Sequence, residues 1–234
     1  KFDTVGPLCR SVEDAGLFLG LLEGNEGPDL RNPGSLKGRR FADLKTIALE
    51  DLEPPVAEAH EAALAKLRAA GAEILPLEVP ELEEAMGLSA ILFTTEAYGL
   101  WRDVIEANPE VMFSEILARF RSGAGHSGAD YVAAWAKLEH CRQAWDQAVA
   151  GFDGALSPTC PILPPNLARL ETDAEYYVKA NLLTLRNTRI WNLMGLCALS
   201  LPTGHPSCGL QILGQPDCEE ALLRIGASVE AALR

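Results

Sequence analysis

Between residues 44 and 77 the chain offers a strand, a helix, a glycine stop and a second strand in quick succession, and few folds accommodate that order. Leu44 to Leu49 is a short, mainly apolar run. Val56 to Ala70 then places Ala59, Ala63, Leu64 and Leu67 on one helical face, the spacing of a helix that buries one side. Gly71 closes the helix, and Glu73 to Leu77 reads as the second strand. Two strands joined by a helical crossover lie parallel in one sheet, so the fold class is α/β.

The rest of the chain alternates in the same manner. Ser11 and Asp14 form an S-x-x-D capping box before a helix whose buried stripe is Val12, Ala15, Leu19 and Leu22, and Gly24 ends it. Residues 26–40 are rich in Gly, Pro, Asn and charge and read as a surface connection. A long helical region is predicted over Leu82 to Ala107, with Phe93 and Trp101 on one side, followed by a helix over Met112 to Arg121. Ser122 to Gly128, with three glycines and His126, is expected to be the most flexible stretch. A helix follows over Ala129 to Ala150, then a strand over Phe152 to Ser157. Further expected elements are a helix over Ala174 to Leu193, strands over Leu196 to Leu201 and Cys208 to Leu213, and a closing helix over Glu219 to Leu233.

Arg186 to Gly204, RNTRIWNLMGLCALSLPTG, joins a polar helical face to an almost uncharged strand read as buried. Asn187, Thr188 and Asn192 lie close together on a helical wheel, with Ile190, Leu193 and Met194 on the apolar side. Buried amides and hydroxyls must find partners, so this cluster either fixes a neighbouring loop or faces a ligand. Pro158-Thr159-Cys160-Pro161 breaks the preceding strand at its C-terminal end. Ligands of α/β sheets gather outside such ends, which makes Thr159 and Cys160 candidate substrate contacts, the other reading being a rigid turn.

The same residues carry a resemblance. Arg186 to Gly204 is similar to the C-terminal part of the amidase signature family, in which R-N-T, N, G-L-P-A and P-x-G follow in that order. FDTVGPLCRSVEDA at Phe2 to Ala15 resembles the family's D-T-x-G-P-x-x-R-S-V-x-D-A, and FDGALSPTCPILP at Phe152 to Pro164 resembles its strand and loop ending in P-T-x-P. The resemblance implies a layered α/β/α sandwich on a mixed, largely parallel sheet. Residues 1–234 would then be the C-terminal portion of a single amidase signature domain, with a helical pocket-shaping insertion at about 82–150. It places Asp3 and Thr4 near an active site. Phe93, Thr188, Trp191 and Asn192 join Thr159 and Cys160 as candidate substrate-binding residues. The aromatics Phe93, Trp101 and Trp191 hint at an apolar or aryl acyl group.

The family's catalytic serines, in a Gly-Ser-rich loop, and its lysine base have no counterpart here. There is no G-G-S-S run and no G-x-S-x-G elbow. No residue of this chain is assigned a catalytic role, and the triad is expected upstream of Lys1. The chain opens with Lys1 inside a family-like block, so it is expected to be a fragment, a processed product or one part of a split enzyme. Two departures stand out. Cys197 occupies the position of the family's Pro, and GHPSCGLQ at Gly204 to Gln211 is shorter than the loop it resembles.

Composition narrows the function further. A formal net charge of -13 argues against a nucleic-acid surface, which needs clustered Lys and Arg. No apolar run reaches the ~18 residues a membrane span requires, and a cytoplasmic enzyme is expected. The six cysteines are scattered without a C-x-x-C pair, which suits free buried thiols better than a zinc site or a disulfide scaffold. The implied activity is hydrolysis of a carboxamide through a serine acyl-enzyme, without metal or organic cofactor. The expected partners are a small amide substrate and the N-terminal remainder of the enzyme, with room for a homodimer. The alternatives are the glutaminase subunit of a tRNA-dependent amidotransferase and a non-catalytic assembly or binding module that keeps the fold. SGAGHSG also admits a lid or general-base role for His126, against which stands the lack of any assigned partner.

Overall fold

The computed structural model describes residues 1–234. Its five strands are β1 (Arg40–Leu44), β2 (Glu73–Leu77), β3 (Gly154–Pro158), β4 (Cys197–Pro202) and β5 (Gly209–Gly214). They form one sheet in the order β2-β1-β3-β5-β4. β1 is parallel to β2 and to β3, and β5 runs antiparallel to both its neighbours. The sheet is therefore mixed and largely parallel.

Ten helices accompany it: α1 (Val12–Glu23), α2 (Pro54–Ala69), α3 (Glu81–Gly87), α4 (Ser89–Ala107), α5 (Ser114–Ser122), α6 (Gly128–Ala148), α7 (Leu167–Thr172), α8 (Ala174–Thr184), α9 (Arg186–Met194) and α10 (Glu219–Leu233). The period-two alternation of a strand sends neighbouring side chains to opposite faces, and the core divides accordingly. Ala42, Leu44, Ala155 and Leu213 pack with Leu82, Leu138, Trp145, Ile190 and Trp191 of α3, α6 and α9. Phe41, Leu156, Leu210 and Ile212 pack with Leu64, Leu67, Leu222 and Val229 of α2 and α10. These are the two apolar layers of an α/β/α sandwich. Pro54 at the first turn of α2 supplies a φ already suited to a helix. Gly24 and Gly195 end α1 and α9 in the left-handed conformation that glycine takes without strain.

Several boundaries differ from the sequence expectation. β1 lies at Arg40–Leu44, and Ile47–Leu49 is a 3₁₀ turn capped by the Thr46 hydroxyl. The buried Asp43 sits within the strand and hides its apolar character in the sequence. Asp43 Oδ1 meets His60 Nε2 at 3.0 Å, and its other oxygen meets Lys45 Nζ at 2.5 Å. The region 82–107 breaks at Leu88, and 174–193 breaks at Leu185. β4, expected to be buried, is an edge strand in which Leu201 alone is fully buried, because it pairs only with β5. All six cysteines are free, but only Cys141 and Cys208 are buried. The Asp14 amide donates to Ser11 Oγ at 3.1 Å, the capping bond expected at the start of α1. No helix is long and apolar enough to cross a membrane.

Residues 122–128 are less free than their composition suggests. Gly123–Gly125 is a 3₁₀ turn, and a Cβ on Gly123 would meet Thr94 O at 2.1 Å. The turn is thus seated against the backbone of α4. Gly123→Ala is expected to destabilise the protein by about 1–3 kcal/mol in chemical denaturation, the usual range for forced overpacking.

Burial opposes ionisation of Asp43, yet the bonds from His60 and Lys45 outweigh it and hold the carboxyl below its ordinary range. A depressed folded-state pKa contributes stability that is present above the unfolded value, about 4, and is lost as pH falls through the folded value. Stability should therefore fall below about pH 4, and Asp43→Asn should make that acid limb shallower when Tm is followed against pH.

Candidate functional site

α9 is the organising helix of the site. Its first two residues are buried charge and amide. Asn187 Nδ2 donates to Ala48 O at 3.0 Å and Pro158 O at 2.8 Å. Arg186 Nη2 donates to Glu50 O at 2.5 Å, and Arg186 Nε donates to Asn187 Oδ1 at 3.2 Å. These bonds tie the loop after β1 and the end of β3 to one helix turn. Burial lowers the proton affinity of Arg186, and the nearby Asp51 and Glu50 act in the opposite sense. Of the polar cluster in the sequence, Asn187 thus fixes loops and is not available to a ligand.

Of the other two members, Thr188 follows on the same turn and Asn192 lies on the next. Thr188 Oγ1 donates to Leu185 O at 3.2 Å, and Asn192 Nδ2 donates to Phe2 O at 2.9 Å. The second bond ties the N-terminal segment to α9. Phe2 also packs edge-on to Phe93, with centroids 4.5 Å apart, and stacks on Trp135 at 5.1 Å, arrangements that aromatic quadrupoles favour.

Between these elements lies a cleft of about 800 Å³. Thr4, Val5 and Gly6 form one wall, Phe93 and Thr94 of α4 another, and Thr188, Trp191 and Asn192 of α9 a third. Leu196 to Ala198 and Gln211 close it from the sheet, and Glu219 reaches its edge. Arg119 of α5 and Arg189 of α9 also line it. Trp191 is almost wholly buried, with its ring 5.7 Å from that of Trp145, so it contributes a rigid wall. Trp191 Nε1 and Gln211 Oε1 are buried polar atoms without a hydrogen-bond partner in the chain.

Four of the six residues singled out from sequence thus share this cleft: Phe93, Thr188, Trp191 and Asn192. Thr159 and Cys160 do not line it. Thr159 Oγ1 is within 2.6 Å of Ser200 Oγ, and the Thr159 amide donates to Gly209 O, so both groups are engaged in joining β3, β5 and β4. Cys160 is half-buried, and burial pushes its thiol up, away from the reactive thiolate. Thr4 is at the cleft and Asp3 is outside it; Trp101 is exposed and also outside it. His126 is exposed and makes no side-chain hydrogen bond.

Sequence reasoning missed Arg119, Arg189 and Gln211. A signal existed for Arg189, which stands three residues before Asn192 and so shares its helical face. Gln211 could have been noticed as the one polar residue inside the apolar run from Leu210 to Leu213.

Three stretches distant in sequence converge here, and comparison with known proteins accounts for them. The Amidase family profile matches residues 1–223, and the chain belongs to the amidase signature family. It is 32% identical over 240 residues to 2-amino-5-chloromuconic acid deaminase of Comamonas testosteroni, covering all of this chain and 52% of that protein. It is 28% identical over 273 residues to a glutamyl-tRNA(Gln) amidotransferase subunit of Acidobacterium capsulatum, covering 99% of this chain and 56% of that protein. A solved amidase structure superposes with a TM-score of 0.80 at 26% identity, over 97% of this chain and 52% of its own. The chain spans about half the length of the relatives it matches.

Asn187→Ala would leave the carbonyls of Ala48 and Pro158 and the Arg186 guanidinium short of a partner. A loss of about 1–3 kcal/mol in urea unfolding is expected, the range for buried groups left unsatisfied.

Proposed function

We propose that this chain is the C-terminal, substrate-binding portion of an amidase signature domain that hydrolyses a carboxamide C–N bond through a serine acyl-enzyme. The observation that carries the reading is the convergence of residues 4–6, 188–198 and Gln211 on one cleft. The first two stretches lie within family-like blocks of the sequence. In this reading a serine outside the chain attacks the carboxamide carbon, ammonia or an amine leaves, and water releases the acid. A neutral lysine, also outside the chain, takes the serine proton. The present residues hold the substrate: Phe93 and Trp191 flank the acyl body, while Thr188 and Gln211 offer polar contacts. The helices from α3 to α6 act as the insertion that shapes the pocket.

A small-molecule amidase is favoured over the glutaminase component of an amidotransferase. The alignment to the deaminase runs over 240 positions, close to the length of this chain, whereas that to the amidotransferase protein runs over 273. The latter therefore carries segments for which this chain has no counterpart. The deaminase name also describes loss of an amino group from a small acid, in keeping with ammonia as the leaving group.

The test is ammonia release from a panel of carboxamides by the full-length enzyme, with hydroxylamine added to divert an acyl-enzyme to hydroxamate. Turnover with hydroxamate formation is expected, and Thr188→Val should lower kcat/KM by roughly 10-fold, the scale of one lost substrate hydrogen bond. Absence of turnover on every carboxamide rejects the reading. Glutamine hydrolysis that appears only with partner proteins would establish the alternative.

A further inference from the structure

Fourteen arginines occur in the sequence, and nine of them reach a carboxylate. Of the remaining five, Arg10 and Arg68 are exposed to solvent, and Arg186 is satisfied by backbone carbonyls and Asn187. Arg119 and Arg189 are left. Both are half-buried and both line the cleft. The one side-chain bond of Arg119 runs from Nη2 to Asn181 Oδ1 at 3.1 Å, and Arg189 makes none. In a chain of net charge -13, two neighbouring guanidiniums without a counter-ion are conspicuous.

We propose that Arg119 and Arg189 form a carboxylate-binding end of the cleft, so that the preferred substrates are amides of small acids that carry a second, ionised carboxyl group. This rests on the amidase reading above and names its substrate class. Guanidinium groups match a carboxylate through paired, parallel N–H donors and remain charged at any working pH. Placing two cations together in a partly dry site is unfavourable until an anion arrives. In keeping with that, the proton affinity of Arg189 is lowered first by burial and then by the charge of Arg119, and no carboxylate offsets either effect.

The rest of the cleft sets the orientation. Leu182, Leu185 and Phe93 provide apolar wall for a short carbon body. Glu219 is the only acidic residue in the lining. It acts on Cys197, whose thiol is pushed up to about 11 by burial first and by Glu219 second. Glu219 is not among the charges that act on Arg189. A substrate carboxylate is thus drawn towards α5 and the start of α9 and repelled from the mouth of β4, leaving its amide to face away from the arginines.

The decisive comparison uses the full-length enzyme with the monoamide of a C4 to C6 dicarboxylic acid and the methyl ester of the same monoamide. The acid should be preferred. Arg189→Gln and Arg119→Gln should each lower the acid-to-ester ratio of kcat/KM by roughly 10- to 100-fold, as expected for a charge-assisted bond. Arg189→Lys should retain part of the preference. Equal kcat/KM on acid and ester, or equal loss on both in the variants, overturns the proposal. Calorimetric titration with the free dicarboxylate gives a readout independent of turnover. Binding that weakens in Arg189→Gln and Arg119→Gln, with both variants unfolding like the wild type, supports the anion site even if no amide is hydrolysed. Absence of binding to the wild type overturns it.

Discussion

The structure depends on a pair of buried side chains at the start of α9. Asn187 and Arg186 reach carbonyls at Ala48, Glu50 and Pro158, three points that belong to the connection after β1 and to the end of β3. Strand ends are where backbone groups lose their ladder partners, and a buried carbonyl without a donor is costly. One amide and one guanidinium therefore do for these loops what the sheet can no longer do. Because α9 is held from its first two residues, Thr188, Arg189, Trp191 and Asn192 present themselves to the cleft from a fixed base.

A second tether completes that base. Asn192 holds Phe2 O, and Phe2 fills the space between Phe93 and Trp135. A segment from the start of the chain and a helix near its end are thereby joined through one amide and one aromatic ring. The cleft between them has rigid walls made by tertiary contacts that no local stretch could form alone. The family-like stretches supply the tethers at Phe2, Asn187 and Asn192, and the charged residues of the cleft come from one of them, Arg189, and from outside them, Arg119 and Glu219.

Much of the fold could be read from periodicity. The closing helix at Glu219–Leu233, the strand at Glu73–Leu77 and the parallel pair it forms with β1 follow from apolar spacing and a glycine stop. The failures share a cause, which is that a long-range partner overrode a local signal. Asp43 sits in a strand because His60 and Lys45 bond its two carboxylate oxygens, and no local pattern reports that. Leu185 interrupts an otherwise helical run where the chain turns to bring Arg186 and Asn187 onto carbonyls from remote strands. Thr159 has the right position at a strand end, but its hydroxyl is taken by Ser200, a neighbour that only the β3-β5-β4 order makes visible. Arg119 was illegible for the opposite reason, and Arg189 showed only its shared face with Asn192: a basic residue in a helix normally signals solvent, and what distinguishes these two is that neither forms an ion pair within the chain while both line the cleft.

The contact of Gly123 with the backbone of Thr94 carries a consequence for how such a chain can diversify. It locks the α4–α5 hairpin at its far end, one residue from Phe93 and four from Arg119. The hairpin then behaves as a lever whose fulcrum is a single glycine. Lengthening or shortening the stretch from Asn108 to Phe113 would swing α5 as a unit, carrying its guanidinium nearer to or farther from α9 while the sheet stays untouched. Under the proposed anion site, the length of this exposed turn would set how far that guanidinium reaches along the cleft.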